Sequence, residues 1–418
     1  MSAATMLSYQ LASRTALQMA YQLQTSQRDH RDGPAGIRFE PLFTNSARYA
    51  GRTDIARTNI DAGLGRAHTL TAGYEFERER YESRSADENP DLRARVLAVA
   101  QVVQHSHSGF VHHQIRWLDG RFQLGLSGRF QGFRLEVPQF QGGLAPYQRI
   151  RPAAPPTAYT GDIALAYFAA GTQTKWRVHA GNAYRAPSLY ERFGTSFFFG
   201  AFSPFGDPQL RPERALSLDG GFDQYLRGAR LRLSATAFYS RLQEVILFEF
   251  GGRINPATDP YGRFGGYLNG KGGLARGVES SIEARLQPDF QFNLNYTYVS
   301  TLEASPATVD GSLKRLGISD HMLGLFVRKS FATRWELVVD TFLASSYLFP
   351  FYTELGNRAF EFQGPRKTDL VASYTRPLSE NRRLRAYVRI ENVFNHTYYE
   401  SGFRTPGRWA VGGLTLEF

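Results

Sequence analysis

The nine residues FQFNLNYTY at positions 290–298 put Phe290, Phe292, Leu294, Tyr296 and Tyr298 on even numbers, with Gln291, Asn293, Asn295 and Thr297 between them. A strand points successive side chains to opposite faces, so this stretch has one apolar and one polar face. The pattern recurs. Phe122, Leu124, Leu126 and Phe130 alternate with Arg121, Gln123, Ser127 and Arg129. Leu231, Leu233, Ala235, Ala237 and Tyr239 alternate with Arg230, Arg232, Ser234 and Thr236, and Leu384, Ala386, Val388 and Ile390 with Arg385, Tyr387, Arg389 and Glu391. About seventeen such segments follow one another, from 4–12 and 14–25 through 267–286 and 290–303 to 383–393 and 408–418. Their connectors are short near 13–14, 64–66, 119–120 and 170–173. They are long at 26–52, 83–105, 136–156, 185–213, 251–266, 304–318, 346–364 and 394–407. Spans of roughly ten residues or more, with tight turns at one end and long loops at the other, predict an all-β transmembrane antiparallel barrel. Soluble sandwiches and propellers also alternate, but their strands average only about five or six residues.

Composition narrows the function. Of the 418 residues 42% are hydrophobic, yet no run approaches the ~20 apolar residues of a spanning helix. There is no Cys, hence no disulfide framework and no thiolate ligand or nucleophile. The net charge is +11 and only five basic residues are Lys, so Arg, the bidentate binder of oxyanions, carries the charge. Arg is spread over polar faces and strand ends instead of forming one basic patch interleaved with aromatics. That distribution sets nucleic acid aside and suits anionic lipid and anionic ligands. No nucleophile elbow or P-loop is present, so neither an enzyme nor a cofactor is expected. His105, His107, His112 and His113 read as a polar loop running into a lumen-facing strand. Asp87, Asn89 and Asp91 have calcium-loop spacing, but Leu92 and Ala98 stand where Gly and Glu are needed. No metal site is expected from the histidines, and for the acidic group a loose Ca²⁺ site in an outer loop is the alternative reading.

Seventeen strands cannot close an antiparallel barrel, and free sheet edges in hydrocarbon would leave backbone groups unpaired. MSAATMLSYQ at the N-terminus has neither a charged nor an apolar export region. The expectation is a partial barrel over residues 1–418.

The motifs resemble those of the TonB-dependent outer-membrane receptors. Tyr184-Arg185-Ala186-Pro187 and Asp207-Pro208-Gln209-Leu210-Arg211-Pro212-Glu213 are similar to the paired boxes that flank a long extracellular loop in that family. Ala275-Arg276-Gly277-Val278-Glu279 resembles its strand entry, and Ile390-Glu391-Asn392-Val393-Phe394-Asn395 with Tyr398-Tyr399 its penultimate strand. The resemblance implies twenty-two strands, of which this chain holds about the last seventeen, and a plug domain that is not seen here. It implies uptake of a ferric siderophore, with cobalamin next, in the bacterial outer membrane. Its partners would be TonB through the plug, outer-membrane lipid including lipopolysaccharide, and the barrel-assembly machinery through the terminal Phe418. The rival readings are a passive porin-like barrel or a non-functional fragment.

Residues 193–205 concentrate Phe193, Phe197, Phe198, Phe199, Phe202 and Phe205 in a long loop, with Arg192 and Arg211 beside them. Rings next to guanidinium groups suit a large, partly apolar, anionic chelate. The alternative is that the loop packs on itself or its neighbours. A second aromatic loop, with Tyr347, Phe349, Phe351 and Tyr352, completes the expected ligand-binding set.

Overall fold

The computed structural model describes residues 1–36, 41–198, 201–249, 254–303, 316–332, 334–353 and 356–418. Each of the seventeen expected segments is built on a strand, and the strands pair antiparallel with their neighbours in a large sheet. The chain divides into two compact units, and four strands contribute residues to both.

The first unit holds Ser2–Ala12, Thr15–Asp32, Asn45–Leu64, His68–Asp87, Leu97–Trp117 and Phe122–Leu135. Register aligns the apolar positions into rows across strands. Leu7, Met19, Thr58, Tyr74, Gly109 and Phe130 are successive partners, as are Tyr9, Leu17, Ile60, Ala72 and Val111. These rows are exposed: Tyr9 is 63% accessible, Tyr74 45% and Phe130 47%. So wide an exposed apolar band is out of place in water and matches the lipid-facing belt of a membrane barrel. The opposite face is polar and bonded within itself. Arg129 donates to Glu75 at 2.6 Å and to Ser108 at 2.8 Å, and Gln131 donates to Ser106 at 3.1 Å.

About ten residues from the tight turn at Leu64 the apolar rows stop, as the hydrocarbon thickness requires. The next row on the same face is Leu23, Asp54, Arg78, His105 and Arg134. The strands do not end there: Asn45–Leu64 and His68–Asp87 have 20 residues each and Leu97–Trp117 has 21. The expected loops 26–52 and 83–105 are therefore largely strand. Past the lipid the outward face is no longer apolar and the inward face carries core residues such as Tyr81 and Val102, so the alternation changes while pairing continues, held by contacts such as Arg48 to Asp29 at 2.6 Å. His105 and His107 accordingly lie in a strand, in the rows of the lipid-facing positions, not in a loop above a lumen-facing strand.

The second unit contains Gly273–Gln287, Phe290–Glu303, His321–Phe331, Trp335–Ala344, Arg366–Ser379, Arg382–Glu391 and Trp409–Glu417. Leu233, Ile282, Leu294 and Leu325 form one apolar row, with Arg232, Glu283 and Asn293 on the other face. Buried Asp223 gathers Arg232 at 2.9 Å, Arg177 at 3.4 Å and Ser234 at 2.8 Å. Gly277 of the strand-entry motif is required by close approach, because a Cβ there would lie 1.9 Å from the Tyr298 carbonyl oxygen. The expected single strand 267–286 is two, Gly266–Lys271 and Gly273–Gln287, broken at Gly272. In the penultimate-strand motif, Asn392 has φ 51° and is 2% accessible. Its backbone N–H donates to Asp369 and its side chain exchanges bonds with the His396 backbone. Asn tolerates this left-handed turn where most side chains would be strained.

Candidate functional site

In the first unit, long connectors fold into a cap instead of trailing as loops. The strand Gln139–Gly142 pairs with Leu97–Trp117, and residues 185–213 contain the helix Leu189–Phe193 and the hairpin Thr195–Phe198 with Ala201–Pro204. The helix starts on a capping box: Ser188 Oγ accepts from the Glu191 N–H, and Glu191 Oε2 accepts from the Ser188 N–H at 2.7 Å. Leu144, Tyr147, Leu189 and Phe193 are fully buried and pack with Tyr81, Val102, Phe140 and Tyr261. Tyr147 donates its hydroxyl to the Gly206 carbonyl at 2.6 Å. A Cβ at Gly206 would meet the Arg192 carbonyl at 2.4 Å, so only glycine closes the cap there.

The two boxes at the ends of this loop are physically joined. Arg185 donates to Glu213 at 2.6 Å and to Glu191 at 2.9 Å, and Glu213 also accepts from the Ile246 N–H at 2.7 Å. One guanidinium thus fixes both stems and the helix between them. A second tie is fully buried: Arg263 contacts Asp259 at 3.0 Å and donates to the Gly206 carbonyl at 3.1 Å. Burial opposes the Asp259 charge, but the hydrogen bond from Arg263 outweighs it and holds the carboxyl below its ordinary value.

The candidate residues divide. Arg192 is 2% accessible and donates to the carbonyls of Ala153 at 2.7 Å and Pro208 at 2.8 Å. Burial pulls its guanidinium down to about 10, so it stays charged at neutral pH. Phe205 is buried between Phe248 at 5.5 Å and Phe264 at 6.0 Å. Phe202 is half-buried against the cap. The backbones of Phe197 and Phe198 form the hairpin, whereas Phe199 lies outside the described residues. Arg211 is exposed. Its backbone is held by Asn269 at 2.7 and 2.9 Å and its side chain pairs with Glu244 at 3.0 Å. Around Arg192 and Arg211 an open cavity of about 750 Å³ is lined also by Arg151 and Arg214. Neither of these two arginines stood out in the sequence, because they lie 63 positions apart and meet only in the folded chain.

In the second unit the expected loop 346–364 is a hairpin, Tyr347–Thr353 with Gly356–Phe362. Tyr347 is buried and donates to the Tyr399 carbonyl at 2.9 Å, and Phe349 is half-buried. Tyr352 pairs with Asn357 in the hairpin, and its side chain lies outside the described residues. Phe351 sits among Phe349, Phe360, Phe362 and Phe403 with ring centroids 5.5–6.4 Å away. Phe403 is 71% accessible and Phe360 43%, two exposed rings that alternation did not single out.

Among the described residues no group of His, Asp and Glu could hold a metal ion. His105 pairs with Glu136 at 2.6 Å and His112 with Ser127 at 2.8 Å. Asp87 and Asp91 accept backbone N–H groups of their own loop.

The family described as TonB dependent receptor-like, beta-barrel matches residues 3–393. No curated relative matches the sequence. Solved structures share the fold at low identity. FpvA of P. aeruginosa, bound to heterologous pyoverdines, aligns at TM-score 0.68 and 14% identity, covering 100% of this chain and 55% of its own. The copper transporter OprC aligns at 0.71 and 14%, covering 100% and 64%. The ferric yersiniabactin uptake receptor FyuA from Yersinia pestis aligns at 0.66 and 16%, covering 100% and 61%. This chain thus spans between about half and two thirds of their length. It belongs to the TonB-dependent receptor β-barrel family, and its strands cross the bacterial outer membrane with the long connectors outside.

Proposed function

We propose that residues 1–418 form one barrel domain, without a plug, of a receptor that takes up a ferric siderophore or a similar large chelate. In this reading the outer connectors bind the ligand. A plug belonging to the rest of the protein closes the lumen, and TonB remodels it to admit the ligand. The observation that carries the reading is the ring cluster of the second unit, where Phe351 is packed by Phe360 and Phe403 and both of these are exposed; in the first unit the Arg211 guanidinium is exposed as well. Exposed rings and guanidinium groups together bind large, partly apolar anions. The row of Arg78, His105 and Arg134 just above the apolar belt suits the anionic headgroups of outer-leaflet lipid, lipopolysaccharide included. Leu414, Leu416 and Phe418, at 74%, 48% and 88% accessibility, are offered to the barrel-assembly machinery.

The test is uptake of radioactive iron, supplied as ferric siderophores of several classes, by native host cells with and without the gene. A protonophore should abolish the gene-dependent part. Gene-dependent uptake that ignores the protonophore would make this a passive pore, and labelled cobalamin in the same assay distinguishes the neighbouring substrate.

A further inference from the structure

We propose that the cavity beside Arg192 binds the acidic group, carboxylate or phosphate, of the ligand. The proposal rests on reading these connectors as the binding end of an uptake receptor, and it names the chemistry that end selects. Four guanidinium groups, Arg151, Arg192, Arg211 and Arg214, line the cavity, and Glu244 is the one carboxylate among its lining residues. Arg is the side chain whose planar fork matches an oxyanion with two parallel hydrogen bonds.

The cavity is built before any ligand arrives. Asn269 bonds both the N–H and the carbonyl of Arg211, so the backbone is fixed while 69% of the side chain stays accessible. Arg214 lies over the Tyr184 ring at 5.7 Å. Arg192 is 98% buried at the wall, with Nε and Nη2 satisfied by the Pro208 and Ala153 carbonyls. Its Nη1 has no hydrogen-bond partner among the described residues. A buried cationic donor without an acceptor is unfavourable, and it adds to the positive charge at this wall of the cavity. Leu210, Pro155 and Pro212 are among the other lining residues, so the ligand presents apolar surface beside its acid. A volume of about 750 Å³ is far larger than a single phosphate and lies in the range of organic ligand pockets.

The experiment is isothermal titration of the whole receptor, purified from its native host and held in phosphatidylcholine nanodiscs, with citrate and with its neutral ester triethyl citrate. Citrate should bind and the ester should not. The double variant Arg211→Gln/Arg214→Gln should weaken citrate by about tenfold or more, since each loses a charge-assisted bond. Arg66→Gln, in a tight turn at the far end of the strands, should change nothing. If the double variant unfolds at a lower temperature than wild type, Arg151→Gln, at the exposed edge, carries the test with the same direction. Equal citrate affinity in wild type and variants, or equal binding of the ester, overturns the proposal. Adding phosphatidylglycerol to the nanodiscs separates the sources: loss of citrate binding identifies a lipid phosphate as the occupant, and unchanged binding a soluble acid. Citrate binding without energised chelate uptake in the host would keep the cavity and remove the receptor reading. Uptake in the host without citrate binding would do the reverse.

Discussion

The two aromatic connectors began as equals in sequence and ended differently. In residues 185–213 Phe193 and Phe205 turn inward and are buried, and Arg192 directs Nε and Nη2 to the carbonyls of its own cap. The Tyr347–Thr353 hairpin and its neighbours leave Phe403 and Phe360 largely open. The difference lies in what stands beside each. Around the first, a short strand and two helical turns build a small hydrophobic core, and the Arg263–Asp259 pair ties the segments beside it. Around the second, Phe351 is packed by a single layer of rings. An aromatic cluster in a loop is thus a closed core or an exposed surface according to the number of layers covering it.

The contrast is open to direct tests. Phe193→Ala should have the largest effect, about 3–5 kcal/mol, because it opens a cavity in a closed core. Limited proteolysis should then cut within residues 185–213 in the variant and not in wild type. Arg185→Ala releases both stems and the helix. The pair is partly exposed, so a loss near 1 kcal/mol is expected, and a double-mutant cycle with Glu213→Ala measures the coupling. Acid should loosen the cap selectively. The Asp259 carboxyl is held below its ordinary value of about 3.9, so its contribution is complete above that pH and is lost as pH falls through the lower, folded value. Hydrogen exchange between pH 5 and pH 3 should rise in residues 259–267 while the Tyr347–Thr353 hairpin stays as it was. Phe403→Ala should leave thermal stability within about 0.5 kcal/mol, as expected for an exposed ring. It should nevertheless lower iron uptake. A variant that unfolds but still transports would reverse the roles of the two regions.

The legible part followed from one physical fact, that lipid demands an apolar side chain at every second position over about ten residues. Where that demand held, as at 290–298, strand, face and approximate length could be read directly. Where it lapsed, above Asp54, Arg78 and His105, the pairing continued without a signal, and the expected loops 26–52 and 83–105 proved to be mostly strand. The boxes around Arg185 and Glu213 were visible as motifs, but not the 2.6 Å contact between them, which needs residues 28 positions apart to meet. Arg151 and Arg214 carried no local pattern at all.

Sequence alone therefore determined the positions of the membrane-crossing strands and their two faces, because periodicity is a local property enforced residue by residue by the solvent on each side. Tertiary structure alone decided which rings are core, which are surface and which arginines share a cavity. Those outcomes depend on long-range contacts among connectors, where no solvent period constrains the sequence and burial is settled only when the segments meet.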